Sequence, residues 1–203
     1  MQNVEIISVH YKTPDYIYKQ YESVRKFYPN IKYRIIDGSD DGKIYFLDLE
    51  KKDNNFSVNR FNYNIHHGPG MDYAIRSSDK EFLLIIDSDV SLKKPLIDEM
   101  FLNFSGYCVG KRIIINSSGY ESWQKTNTGD RNFIYDYIHP YCMLIKKSEY
   151  VKYRPFKKHG APCIDNMIDI HNNKKQIELS HFNIEDYVNL EIRGTRKIWG
   201  IGL

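Results

Sequence analysis

The run Phe-Leu-Leu-Ile-Ile at residues 82–86, followed at once by Asp87-Ser88-Asp89, constrains this chain more than any other segment. Five consecutive apolar residues are too few for a stable helix and lack the alternation of a half-exposed strand. They predict a strand buried on both faces. Such a strand belongs in the middle of a sheet covered by helices, and the acids that follow it emerge at the sheet's rim. Two carboxylates one residue apart repel each other unless a cation or hydrogen-bond donors lie among them. As hard oxygen donors, they can reach one divalent ion together.

The flanking sequence repeats this pattern. Residues 4–9 (VEIISV) predict a second buried strand, ending in His10-Tyr11. Thr13-Pro14-Asp15 then supplies an N-cap, a proline at the first helical position and an acid in the first turn. Ile17, Tyr21, Val24 and Tyr28 follow at helical spacing until Pro29-Asn30 stops the helix. Residues 33–36 predict another strand, closed by the acidic turn of residues 37–42 (DGSDDG), and the polar stretch around Asp53-Asn54-Asn55 reads as a loop and a short edge strand. Gly68-Pro69-Gly70 opens a helix with Met71, Ala74 and Ile75 inward. Pro95 starts another with Leu96, Met100 and Phe104 inward. Beyond it, strands are expected at 107–115, 141–145 and 177–182, a polar loop at 116–130, a helix at 164–171, and a basic tail. This alternation predicts a single α/β domain over residues 1–203, with a central, mostly parallel sheet flanked by helices.

Composition narrows the function classes. At 203 residues and 41% hydrophobic, the chain has enough apolar material for a core, which excludes disordered and coiled-coil classes. Its net charge is +3 and its Lys and Arg are scattered, unlike a dedicated nucleic-acid surface. No stretch approaches the ~18 apolar residues of a membrane span, and the start lacks the layout of a secretory signal, so a cytoplasmic protein is expected. Cys108, Cys142 and Cys163 form no CxxC pair, and their odd number argues against a disulfide framework. Reduced thiols are favoured over a zinc set of Cys142, Cys163, His139 and His159.

In order, these features are a polar-ended first strand, a second strand ending in D-G-S-D-D-G, then G-x-G-M-D-Y-A-I-R before an apolar strand and a D-x-D. Over residues 3–95 this set resembles the GT-A class of nucleotide-sugar glycosyltransferases, of the family 2 type. The resemblance implies a Rossmann-related fold in which Asp37 contacts the nucleotide base, with His10, Tyr11 and Thr13 around the nucleotide. It implies that Gly70, Asp72 and Arg76 line the nucleotide. Asp87 and Asp89, with Ser88 between them, would meet the diphosphate through Mn2+ or Mg2+, Asp87 also lying near the ribose or sugar. It places donor binding in residues 1–95 and the acceptor side in 96–203. The family's general base, an acid at a helix start, falls best on Asp165, with Asp169 on the same helical face; helix capping is the competing reading for Asp165. His181 is the candidate third metal ligand, ahead of His171 on the apolar helix face. Arg193, Thr195, Arg196 and Lys197 would form a loop over the diphosphate.

The expected activity is metal-dependent transfer of a sugar from a nucleotide diphosphate sugar, UDP-linked, to a glycan or other hydroxyl acceptor, with inversion if Asp165 is the base. A sugar-phosphate nucleotidyltransferase shares the architecture, but HYKTP stands where its Gly-rich basic signature belongs. A non-catalytic carbohydrate-binding domain would use Tyr120, Trp123, Tyr135 and Tyr137 as stacking platforms. That reading leaves the strand-end acids unexplained.

Overall fold

The computed structural model describes residues 3–121, 132–157 and 161–191. In chain order, β1 (Val4–His10), α1 (Pro14–Phe27), β2 (Lys32–Asp37), α2 (Leu47–Lys52), β3 (Phe56–Arg60), α3 (His67–Ser77) and β4 (Phe82–Ile86) alternate through the first half. There follow β5 (Val90–Leu92), α4 (Ile97–Leu102), β6 (Cys108–Ile115), β7 (Tyr135–Lys146), α5 (Lys147–Tyr150), α6 (Ile164–Asn172), β8 (Leu179–His181) and β9 (Val188–Leu190). Seven strands form one sheet in the order β3-β2-β1-β4-β7-β6-β8, and β5 pairs with β9 in a separate two-stranded sheet. β1 is parallel to both β2 and β4, β2 is parallel to β3, and β6 is parallel to β8. Only β7 runs against its neighbours β4 and β6. The sheet is mostly parallel and flanked by helices, as the apolar runs require.

Alternation along the central strands divides the core into two halves. Ile6, Leu84 and Ile86 point toward α1 and α4, where they meet Ile17, Val24, Ile97 and Met100. Ile7, Leu83 and Ile85 point the other way, against Met71, Ala74 and Ile75 of α3 and Ile164, Met167 and Ile170 of α6. Both faces of β4 are thereby buried. Cys108, Cys142 and Cys163 are free thiols inside these layers, and burial pushes each thiol pKa up. His159, the fourth member of the zinc set considered above, lies outside the described residues.

Several local expectations change on tertiary grounds. Tyr21 lies toward the surface, its hydroxyl donating to Asp53 Oδ2 at 3.0 Å, and Gln20 takes the inward position between Ile17 and Val24. β7 extends over twelve residues because its first part pairs with β6 beyond the end of β4. The strand expected over 177–182 is a 3-10 turn (Gln176–Glu178) followed by β8. Helix α2 and the β5–β9 pair were not anticipated. No helix among the described residues is long and apolar enough to cross a membrane.

The entry to α4 has an unusual cap. Its N-cap residue, Leu96, offers no side-chain oxygen, and the buried Tyr28 hydroxyl just past the end of α1 accepts the N–H groups of Leu96 and Ile97 at 2.5 and 2.9 Å. Two orphan donors of the helix terminus are thus satisfied from another helix. Tyr28→Phe keeps the ring and leaves both donors unpaired. Its unfolding free energy, read from urea denaturation, is expected to fall by about 1–3 kcal/mol.

Candidate active site

The order β3-β2-β1-β4 reverses direction between β1 and β4, the point at which open α/β sheets form a crevice beyond their carboxyl ends. Three strand ends meet there: His10 of β1, Asp37 of β2 and Asp87 just past β4. His10 is fully buried, with the Tyr45 and Phe46 rings edge-on at 5.2 and 4.9 Å. Its Nε2 accepts the Thr13 backbone N–H at 2.9 Å, so the ring proton sits on Nδ1, which donates to Asp37 Oδ1 at 2.9 Å. The same oxygen accepts the Ser39 N–H at 2.9 Å. Burial alone would raise the Asp37 pKa, but these hydrogen bonds hold it below the ordinary carboxylate value.

The loops after β1 and β2 are fastened to each other. Gly38 N–H donates to the His10 carbonyl at 3.0 Å, and Lys12 N–H to Ser39 Oγ at 3.0 Å. Tyr11 donates its hydroxyl to Asp40 at 3.1 Å, and the Lys12 ammonium pairs with the same carboxylate. His10 and Thr13, both expected around the nucleotide, face inward instead. His10 holds Asp37, and the Thr13 hydroxyl is buried without a hydrogen-bond partner and does not cap α1. Tyr11 is half-buried, and Asp37, at the end of β2, is itself only 3% exposed.

Past β4 the chain turns tightly. Asp87 N–H donates to the Tyr141 carbonyl at 2.9 Å, and Val90 N–H returns to the Asp87 carbonyl at 3.0 Å. Ser88 is buried, while Asp87 and Asp89 are half-buried. His67, the first residue of α3, places Nε2 2.9 Å from Asp87 Oδ1, an ion-pair contact off the hydrogen-bonding direction. Burial opposes a charge on His67, but Asp87 and Asp89 outweigh it and raise its pKa. Burial likewise pushes Asp87 up, and His67 and His139 hold it below the usual range. His139 is lowered by its own burial. Nothing in the residue-type pattern marked His67, because His-His-Gly-Pro-Gly reads as a turn; only the fold sets it against Asp87.

Two carboxylates on one turn are the hard oxygen donors that suit a divalent cation, and the His67 imidazole stands 2.9 Å from one of those oxygens. Asp87 and Asp89 are the residues that would hold it. His181 is not brought to them: β8 lies three strand spacings from β4, or ~14 Å across the sheet. Its Nδ1 accepts the Arg112 N–H at 3.2 Å. Among the described residues no three His, Cys, Asp or Glu side chains gather as a metal-binding group. His171 packs edge-on against Tyr135 at 5.0 Å.

Of Gly70, Asp72 and Arg76, Arg76 lies farthest from the rim, while Gly70 stays within the first turn of α3. α3 begins at the crevice and runs away from it, so Arg76, nine residues on, lies ~13 Å along the axis from His67. Arg76 donates to Asp72 Oδ1 at 2.7 Å, Tyr150 donates its hydroxyl to the same oxygen, and the guanidinium covers the Tyr150 ring. The pair ties α3 to α5. Gly70 faces the sheet, where a Cβ would come 2.9 Å from Val9 Cγ1. Its missing side chain serves packing.

Asp165 lies in the first turn of α6, whose N-cap is Cys163 with no side-chain cap. That is also the position from which an acid steadies a helix N-terminus. Arg154 binds Asp169 through Nε and a terminal nitrogen at 2.8–3.0 Å, while its nearest approach to Asp165 is 3.7 Å. Asp169 is committed to that pair, and Asp165 is the less constrained carboxylate. Trp123, Arg193, Thr195, Arg196 and Lys197 lie outside the described residues.

Residues 5–161 match the family model described as Glycosyl transferase family 2. Among solved structures, S. aureus TarS 1-349 superposes with a TM-score of 0.59 at 15% identity, covering 98% of this chain and 63% of that one. The same protein in complex with UDP-GlcNAc gives 0.55 at 16% identity, covering 92% and 57%. Mannosyltransferase PcManGT from Pyrobaculum calidifontis, in complex with GDP-Man and Mn2+, gives 0.54 at 11% identity, covering 90% and 57%. At these identities the likeness is one of fold, and the chain spans less than two thirds of the length of these relatives. No curated protein matches at the sequence level.

The lowered Asp37 pKa has a consequence for stability. A carboxylate depressed in the folded state contributes stability above its ordinary pKa, and loses it as pH falls through the native value. Asp37→Asn removes that contribution. The gap in urea midpoint between parent and variant should be widest near neutral pH and close as pH falls below the ordinary carboxylate range.

Proposed function

The chain belongs to glycosyl transferase family 2, and from that membership and the geometry of its rim we propose that it transfers a sugar from a nucleotide diphosphate sugar to a hydroxyl acceptor. One observation carries the reading. The Asp87-Ser88-Asp89 turn stands at the switch point of the sheet, beside the strand whose neighbour ends in Asp37. The donor's diphosphate belongs at the turn and its base at Asp37. The ligands in complexes of two structural relatives, UDP-GlcNAc and GDP-Man with Mn2+, support this class of ligand. A UDP-sugar suits Asp37, whose carboxylate can accept a base N–H such as uracil offers.

Mn2+ or Mg2+, held by Asp87 and Asp89, would offset the charge of the diphosphate leaving group. Tyr11 and the fastened loop after β1 form the wall beside the base. The half of the chain from residue 96 onward forms the acceptor side, with Asp165 as general base. Asp165 takes the acceptor hydroxyl proton as that oxygen bonds to the anomeric carbon, and the bond to the diphosphate breaks with its electron pair. Attack from the opposite side inverts the anomeric centre.

Thermal shift with UDP, a UDP-sugar and GDP-mannose, each with and without Mn2+, tests the donor site. A ligand at a hundredfold excess over its Kd adds about 2.7 kcal/mol to native stability. The expected result is a Mn2+-dependent shift in the parent that Asp89→Ala loses without lowering its own Tm. A Mn2+-dependent shift of parental size in Asp89→Ala would rule out the metal assignment.

Asp165→Asn separates the chemical step from binding. Turnover is expected to fall by ~10²- to 10⁴-fold, with donor affinity and Tm unchanged. A variant that keeps its turnover places the base elsewhere.

A further inference from the structure

Gln20 occupies an inward position on α1, between Ile17 and Val24, where an amphipathic helix ordinarily carries an apolar residue. It is fully buried. All of its polar atoms are nonetheless used. Nε2 donates to the Asp87 carbonyl at 2.7 Å and to the Val90 carbonyl at 2.7 Å, and Oε1 accepts the buried Tyr33 hydroxyl. Two carbonyl acceptors fix which end of the amide is nitrogen. Asp87 and Val90 bracket the turn that carries Ser88 and Asp89.

We propose that Gln20 is a positioning residue, clamping both ends of the Asp87–Val90 turn and so setting the spacing and direction of the two carboxylates. The proposal rests on the reading above, that Asp87 and Asp89 receive the cation and diphosphate. Leu or Met would fill the same volume on α1 without an amide to desolvate. An amide there is tolerated because it meets carbonyls that would otherwise lie buried without a side-chain donor. The neighbouring contact has the same character. One helical turn on, Ser23 Oγ accepts the Leu92 N–H at 3.0 Å, so α1 holds the turn and the strand after it by polar contacts in series. Tyr33 completes the clamp from β2, on the side away from the rim, and touches neither carboxylate.

Gln20→Met keeps the volume and removes both donors. Amide hydrogen exchange by NMR reads the turn directly, since the Asp87 and Val90 N–H groups are both hydrogen-bonded. Exchange at these two amides should accelerate by about tenfold or more while Ile7 and Ile35, in the adjoining strands, keep parental protection. The Kd for UDP with Mn2+ should rise by a similar factor. Parental exchange at Asp87 and Val90 overturns the proposal. So does an equal acceleration across the sheet, which marks an ordinary core residue, or a loosened turn with unchanged UDP–Mn2+ affinity. If the parent binds no UDP with Mn2+, the glycosyltransferase reading fails, while the exchange data still decide whether Gln20 clamps the turn. Should Gln20→Met not fold, Tyr33→Phe, which removes only the third bond, is expected to show a smaller acceleration confined to the same amides. Its absence overturns the clamp.

Discussion

The parallel pairing of β1 with β4 is the contact on which the rest of the molecule depends. β1 also pairs with β2 on its other side, so the chain must leave toward β3 and then return across β1 to lay down β4. That return opens a crevice at the strand ends. It also determines which residues stand at the strand ends there: the last residue of β1, the last of β2 and the first after β4. The apolar run of residues 82–86 is the energetic side of the same constraint, because a strand covered on both faces incurs a desolvation cost for any polar residue that finds no partner.

Polar groups near the crevice sort into those that meet it and those that hold the first group in place. His10 belongs to the second kind. Its two ring nitrogens bond to Thr13 and Asp37, and aromatic rings close its remaining approaches. His67 belongs to the first, at the crevice mouth against Asp87. Asp72 and Arg76, on the same helix as His67, serve a third purpose, the docking of α5. Three polar residues on one short helix thus perform two tasks, separated only by distance along its axis.

The central strands and the helices that cover them were legible in the sequence because burial on both faces leaves continuous apolar runs. The acids at the strand ends were legible for the same reason, as abrupt departures from those runs. What could not be read depended on contacts distant in sequence. Gln20 breaks an apolar stripe, but its partners lie some seventy residues away. Gly70 shows how one residue type supports two explanations: a glycine at a helix start suits close ligand approach or close packing, and Val9 decides for packing. His181 is the last residue of β8, and the strand order, invisible locally, sets it far across the sheet. β5 and β9 are three residues each, and pairing with one another is what makes them strands.

The mutual fastening of the loops after β1 and β2 bears on how a ligand would be received. Backbone and side-chain bonds already link His10 to Gly38, Lys12 to Ser39 and Asp40, and Tyr11 to Asp40. A flexible rim would have to surrender rotational freedom when it closes on a guest, and that loss would subtract from affinity. Here much of the ordering is completed during folding. Recognition on this side of the crevice would therefore be closer to a lock than to a glove, with discrimination between ligands left to the shape of a surface that exists before they arrive.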